Sequence, residues 1–233
     1  MVVAASSGIR AEELDGLGIR LQGWAGGRFV AGVTDRRADP AGWVSRFRAK
    51  ANVQAEQVHG ASIAVIAKAD DVTVAGCDAL LTHVPGVALR IRTADCLPIF
   101  FADPVRHAIG LAHAGWRGLA ASLPARMVAA MRDVFGSTPE ALHVAIGPSI
   151  RPCCYEVGLE LVSRFGAFVQ DAQGRRTCDL IGSAIKQLQA SGVRGERIFD
   201  MRRCTGCETN DWFSLRREGP ETGRLVSFLM IQG

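Results

Sequence analysis

The chain has 233 residues, with 27 Lys and Arg against 23 Asp and Glu, for a formal net charge of +4. Hydrophobic residues make up 48% and charged residues 21%, ordinary proportions that exclude a disordered or fibrous chain. The small positive surplus is spread over pairs such as Arg36-Arg37, Arg175-Arg176 and Arg202-Arg203, which is no footprint for nucleic acid.

Met1 to Gly8 lacks a basic start and a sustained apolar stretch, so no secretory signal is expected. A glycine-rich turn near Gly23 leads into a short strand ending at Val30. Short apolar or alternating runs bounded by Gly, Pro, Asp or Asn predict strands at 62–67, 87–92, 97–101 and 108–112. The longest apolar run, Cys96 to Ala102, is far shorter than the roughly 20 residues needed to cross a bilayer. Leu119, Leu123, Met127, Ala130, Met131, Val134 and Phe135 follow the helical period and predict one helix over 119–135, stopped by Gly136. A strand at 142–146 closes on Gly147-Pro148. Helices are expected at about 157–169 and 179–189, the second stopped by Ser191-Gly192, and a last strand at 224–231. Strands and helices mix without strict alternation, so a mixed α/β sheet protein is expected rather than a doubly wound one. No repeat or linker marks a boundary, and this length suits a single domain over 1–233. Seven cysteines, an odd number with Cys153 and Cys154 adjacent, fit a reducing cytoplasm better than a disulfide framework.

Three segments place reactive side chains at predicted strand ends or turns: Gln57-Val58-His59-Gly60, Thr93-Ala94-Asp95-Cys96-Leu97-Pro98 and His113-Ala114-Gly115-Trp116-Arg117-Gly118. Two imidazoles and a thiolate suit zinc and leave a fourth position for water or substrate. Their spacing matches no compact zinc-finger pattern, and each residue has a plainer reading. His59 could be a loop histidine, Cys96 a small buried hydrophobe and His113 a satisfied core histidine. Cys96 with a histidine could equally form a nucleophilic pair. Arg117, at an expected helix start beside Gly115 and Gly118, is a candidate grip for phosphate or carboxylate, or a solvated arginine. Asp95 could carry a proton or end a strand, and Asp78 has the same two readings, with structure favoured. Cys204-Thr205-Gly206-Cys207 has CxxC spacing but no second pair in sequence, so structural zinc is not expected there. His83, His107 and His143 are read as structural.

The ordered phrases Gln57-Val58-His59-Gly60, Cys77-Asp78-Ala79-Leu80-Leu81-Thr82, Thr93-Ala94-Asp95-Cys96-Leu97-Pro98, His113-Ala114-Gly115-Trp116-Arg117-Gly118 and Ile146-Gly147-Pro148-Ser149-Ile150 then carry a resemblance. They continue with Cys154-Tyr155-Glu156-Val157, Cys204-Thr205, Phe213-Ser214-Leu215-Arg216-Arg217 and Thr222-Gly223-Arg224. From about residue 57 onward the chain resembles the YfiH family, also called the laccase-domain or polyphenol-oxidase family and linked to purine nucleoside phosphorylase activity. The resemblance implies a single-domain, layered α-β-β-α fold of a cysteine-hydrolase type. It implies a metal, usually zinc with copper as the second candidate, on His59, Cys96 and His113. It also implies phosphorolysis of adenosine, inosine, guanosine or methylthioadenosine, with adenosine deamination beside it. Cys96, His113, Asp95 and Arg117 are the catalytic candidates. The stretch Ala38-Asp39-Pro40-Ala41-Gly42-Trp43 is shorter than the corresponding loop of the family, which bears on specificity.

The expected partners are a purine nucleoside and phosphate, with neither nucleic acid nor membrane, in a monomer or weak homodimer. Alternatives are a copper-dependent polyphenol oxidase, a Cys–His amide hydrolase editing peptidoglycan precursors, and a zinc-stabilised binding module. A multicopper centre needs on the order of ten histidines, and the chain has 5.

Overall fold

The structure is a computed structural model and describes residues 10–14, 17–39, 42 and 46–232. The expectation for Met1 to Gly8 and the parts of the shortened loop at Pro40, Ala41 and Trp43 lie outside the described residues.

Among the described residues, the strands of the first half are β1 (Arg10–Leu14), β2 (Gly18–Gln22), β3 (Phe29–Val33), β4 (Ala51–Ala55), β5 (Ile63–Ile66), β6 (Val72–Val74), β7 (Ala79–Thr82), β8 (Val87–Thr93), β9 (Leu97–Asp103) and β10 (Ala108–Ala114). Helices and strands then mix: α1 (Trp116–Ala120), α2 (Leu123–Phe135), β11 (His143–Ile146), α3 (Val162–Phe165), β12 (Val169–Ala172) and β13 (Arg175–Cys178). The chain ends with α4 (Leu180–Ala190), β14 (Ile198–Asp200), α5 (Leu215–Glu218) and β15 (Leu225–Ile231).

A seven-stranded sheet runs β1-β2-β3-β15-β8-β4-β6, a six-stranded sheet runs β14-β11-β9-β10-β7-β5, and β12 and β13 form a hairpin. Most pairs are antiparallel; β4 is parallel to β6 and β8, β5 to β7, and β11 to β14. Strand β9 shows why the layers stack. Its seven residues are all buried, and successive side chains point to opposite faces. Phe100 and Ala102 pack with Val33, Leu89, Ile91 and Leu229 of the other sheet. Leu97, Ile99 and Phe101 instead meet Leu123, Met127 and Met131 of α2 and Ala184 and Leu188 of α4. The six-stranded sheet is therefore covered by a sheet on one side and by helices on the other. On the outer face of the seven-stranded sheet Phe47 stacks on Phe228, with ring centroids 5.9 Å apart. This is the mixed, layered α/β architecture that the sequence leads one to expect.

Two expected elements differ. The helix over 119–135 is two helices, because Ser122 between them adopts a left-handed conformation (φ 59°). The helix over 157–169 is reduced to α3 flanked by 3-10 turns at Leu159–Leu161 and Gly166–Phe168. Gly166 (φ 46°) breaks the helical path there, and β12 begins at Val169.

Candidate metal centre

The three segments singled out in the sequence meet where the strand ends converge. His113 is the sixth residue of β10, opposite Pro98 of β9. By strand alternation it shares the face of Ile109 and Leu111, the face turned toward the other sheet. Cys96 sits in the short connection between β8 and β9, and His59 in the turn after β4.

Their ligand atoms, one imidazole nitrogen each and the Cys96 Sγ, lie within 4.8 Å of one another. The two imidazole rings stand edge to face at 85° with centroids 4.9 Å apart. His113 is buried, Cys96 half-buried and His59 exposed, so the group opens to solvent on one side.

Asp78, just before β7, organises this arrangement. Its Oδ1 lies 2.9 Å from His113 Nδ1 and accepts from the His59 amide at 2.9 Å. Its Oδ2 accepts from the Gly60 amide at 2.7 Å. Those two amides hold His59 in a left-handed conformation (φ 60°), which costs a non-glycine residue about 1–2 kcal/mol. With Nδ1 engaged, Nε2 of His113 is the nitrogen left for a ligand role. Gln57, also left-handed (φ 67°), bridges to β8: its amide donates to the Arg92 carbonyl at 2.5 Å and accepts from the Arg92 amide at 2.7 Å. Gly115 is needed for close approach, since a Cβ there would sit 3.1 Å from Cys96 Sγ.

Electrostatics follow from the packing. Burial pushes the Cys96 thiol up, but hydrogen bonds from His113 and His59 outweigh it and bring the thiol down to about 7. Burial pushes His113 down, but its bonds to Asp78 and Cys96 prevail and raise it to about 9. Without a metal, both shifts favour a thiolate beside an imidazolium. The donor set fits a transition metal: one soft sulfur, two imidazoles, and an outer carboxylate fixing the second nitrogen of one histidine.

Around the group is a cavity of about 410 Å³ lined by Gln57, Arg92, Thr93, Leu215, Thr222 and Arg224 among others. A second hollow of about 730 Å³ lies across α5, lined by Trp116, Tyr155, Arg175, Arg216 and Arg217 among others.

Two catalytic candidates fall elsewhere. Arg117 is exposed, with its guanidinium over the Trp116 ring at 4.5 Å, and does not line the 410 Å³ cavity. The first turn of α1 directs it outward, and Arg92 and Arg224 are the guanidinium residues lining the cavity. Asp95 is buried (9% exposed) and left-handed (φ 84°), and it does not line the cavity either. Its Oδ1 accepts from Thr205 Oγ1 at 2.6 Å and Ser214 Oγ at 2.8 Å, and its Oδ2 from the Arg216 amide at 2.7 Å. A carboxylate so fully engaged positions the Cys96 backbone and α5, and nothing in this geometry presents it as a proton carrier. The sequence did not single out Arg92 and Arg224, because one lies near the end of β8 and the other just before β15, and no local motif joins them.

The other three histidines stand apart from this group. His83 packs edge to face on Phe135 with centroids 5.3 Å apart, and burial holds His143 below the usual histidine range.

Residues 31–232 match the family model described as multi-copper polyphenol oxidoreductase laccase. The chain is 36% identical over 84% of its length to a purine nucleoside phosphorylase YlmD of Geobacillus stearothermophilus, covering 78% of that protein. It is 32% identical over 74% of its length to an adenosine deaminase RL5 from an unknown prokaryotic organism, covering 72% of it. The crystal structure of YlmD from Geobacillus stearothermophilus superposes with a TM-score of 0.89 at 30% identity, covering 96% of this chain and 99% of that one. With the match running from β3 to the end of β15, the chain belongs to the laccase-domain family, which includes the YfiH and YlmD proteins.

Proposed function

We propose that this chain is a zinc-dependent purine nucleoside phosphorylase acting on adenosine, inosine, guanosine and methylthioadenosine, with adenosine deamination as a side activity. The observation that carries the reading is the open His59–Cys96–His113 group at the wall of a cavity that also holds Arg92 and Arg224. The names of the relatives supply the nucleoside. A cavity of about 410 Å³ falls within the usual range for small-molecule sites.

His59, Cys96 and His113 would hold the metal. When bound, the ion supplies Lewis-acid stabilisation of developing negative charge and activation of water. The protein's own groups do the positioning. Asp78 fixes the His113 ring, and Gln57 ties the His59 turn to β8. Arg92 and Arg224 are the groups suited to bind phosphate against the anomeric carbon, where orientation and charge stabilisation lower the barrier to glycosidic cleavage. Copper is the weaker metal assignment. Only two of the five histidines join a ligand group among the described residues, too few for a multicopper centre.

Zinc-loaded protein given adenosine and phosphate is expected to release adenine and ribose 1-phosphate, with inosine at a slower rate. Arg224→Ala is expected to raise the KM for phosphate more than it lowers kcat. Absence of both products with all four nucleosides would sink the proposal. A second reading, a metal-free Cys96–His113 amide hydrolase, is favoured by the lowered Cys96 thiol alone. Hydrolysis that survives complete chelation would select it.

A further inference from the structure

The Cys204–Cys207 pair is isolated in sequence but not in space. The loop after β11 brings Cys153 and Cys154 to it, and the four sulfurs lie within 4.8 Å of one another. Sγ of Cys153 is 3.5 Å from that of Cys204 and 3.4 Å from that of Cys207, and Cys154 is 3.3 Å from Cys207. A disulfide needs about 2.05 Å, so none of these contacts is one. Four thiolates at about 2.3 Å from a shared tetrahedral ion would lie roughly 3.8 Å apart. The observed separations, 3.3 Å, 3.4 Å and 3.5 Å for three pairs and within 4.8 Å for all, are close to that spacing. A multi-iron cluster would interpose its own sulfides and spread the thiolates further.

We propose that Cys153, Cys154, Cys204 and Cys207 form a second metal site, a closed tetrathiolate centre for one zinc ion. A plainer account, four reduced thiols packed as small hydrophobes, fits poorly: Cys153 and Cys207 are exposed. The surroundings are those of a thiolate ligand set. Arg217 Nη2 donates to Cys154 Sγ at 3.3 Å and its Nε to the Gly206 carbonyl at 3.0 Å. Arg175 donates to the Cys153 carbonyl at 2.6 Å. These cations offset the excess negative charge of four thiolates on a divalent ion. The Cys204–Cys207 segment is a tight turn, with the Cys207 and Glu208 amides both donating to the Cys204 carbonyl.

Four sulfur ligands leave no open position, so this centre is structural. It would clamp the loop carrying Cys153 and Cys154 to the strand-like segment at Cys204, which already pairs with Ser149. Cys154, Tyr155, Arg216 and Arg217 share the wall of the 730 Å³ hollow. Thr205, next to Cys204, donates to Asp95, the neighbour of Cys96. The clamp thus braces the segment behind the first centre. The inference is independent of the proposed reaction.

The test counts metal in the full-length protein purified without chelator. Two equivalents of zinc per chain are expected. Cys204→Ser with Cys207→Ser should lower this to one, and His59→Ala with His113→Ala should likewise leave one. Cobalt exchange should give sulfur-to-cobalt charge transfer that survives in the histidine variant and is mostly lost in the cysteine variant. If the cysteine variant fails to fold, wild-type protein decides alone. The exposed Cys153 and Cys207 should resist a thiol reagent until zinc is removed, then react at least about tenfold faster. A single zinc equivalent that disappears in the histidine variant overturns the proposal. So does immediate reaction of both exposed thiols without zinc release, or a disulfide among the four found by mass.

Discussion

Asp78 supplies no ligand atom to the His59–Cys96–His113 group, yet it touches two of its three members. Burial would raise its carboxyl, but the His113 imidazole and the Gly60 and His59 amides outweigh this and hold it below the usual carboxylate range. It therefore stays ionised and orients His113. Asp78→Asn keeps the shape and removes the charge. It should weaken zinc binding about 10–100-fold, read by chelator competition on folded protein. A change below about threefold would show that His113 needs no such partner. The candidate ligands were visible as phrases in the sequence, since His59 and Cys96 lie in connections and His113 near the end of β10, each marked by a local motif. Asp78 was read as structural, because its partner lies 35 residues away and only the pairing of β7 with β10 joins them.

Among the elements, the central strands and α4 were legible because their apolar periods match their surroundings. Asp179 caps α4 by accepting from the Gly182 amide at 2.9 Å, and the chain turns away at Ser191-Gly192, as the sequence signals. The split between α1 and α2 was not legible, since the apolar stripe continues across Ser122 and only its backbone conformation breaks the helix. The β12–β13 hairpin was also missed, although Gln173 and Gly174 both take positive φ in its turn. The loop after β11 and α5 are fastened together: the Arg216 guanidinium lies 5.0 Å over the Tyr155 ring. Tyr155 is the only tyrosine in the chain. Burial pushes its phenol up to about 12, with Arg216 opposing. A folded pKa above the free value of about 10 means the neutral phenol's contribution is complete below pH ~10 and lost as pH rises toward 12. Tyrosinate absorbance should be nearly absent from folded protein at pH ~10 and return to half-ionisation there in denaturant. A folded-state midpoint at the free value would mean that this loop does not pack against α5.

At the scale of the whole molecule, stability rests on the layer between the two sheets. Phe100 is fully buried there, with its ring edge to face with Trp24 at 6.4 Å. Phe100→Ala should cost about 3–5 kcal/mol and lower Tm by on the order of 10 °C, measured by calorimetry on zinc-loaded protein. A fall of less than about 2 °C would place the main core elsewhere. No helix among the described residues is long and apolar enough to cross a membrane. The sequence by itself determined the mixed α/β class and most of the strands that carry the motifs, because these depend on local period and local turns, and its ordered motifs singled out His59, Cys96 and His113 as the candidate ligands. Tertiary structure alone decided that Arg117 and Asp95 stand away from the cavity while Arg92 and Arg224 line it. It also decided that four cysteines from two distant segments converge. Those outcomes depend on which strands pair and which faces turn inward, and the counts of 7 cysteines and 5 histidines are blind to both.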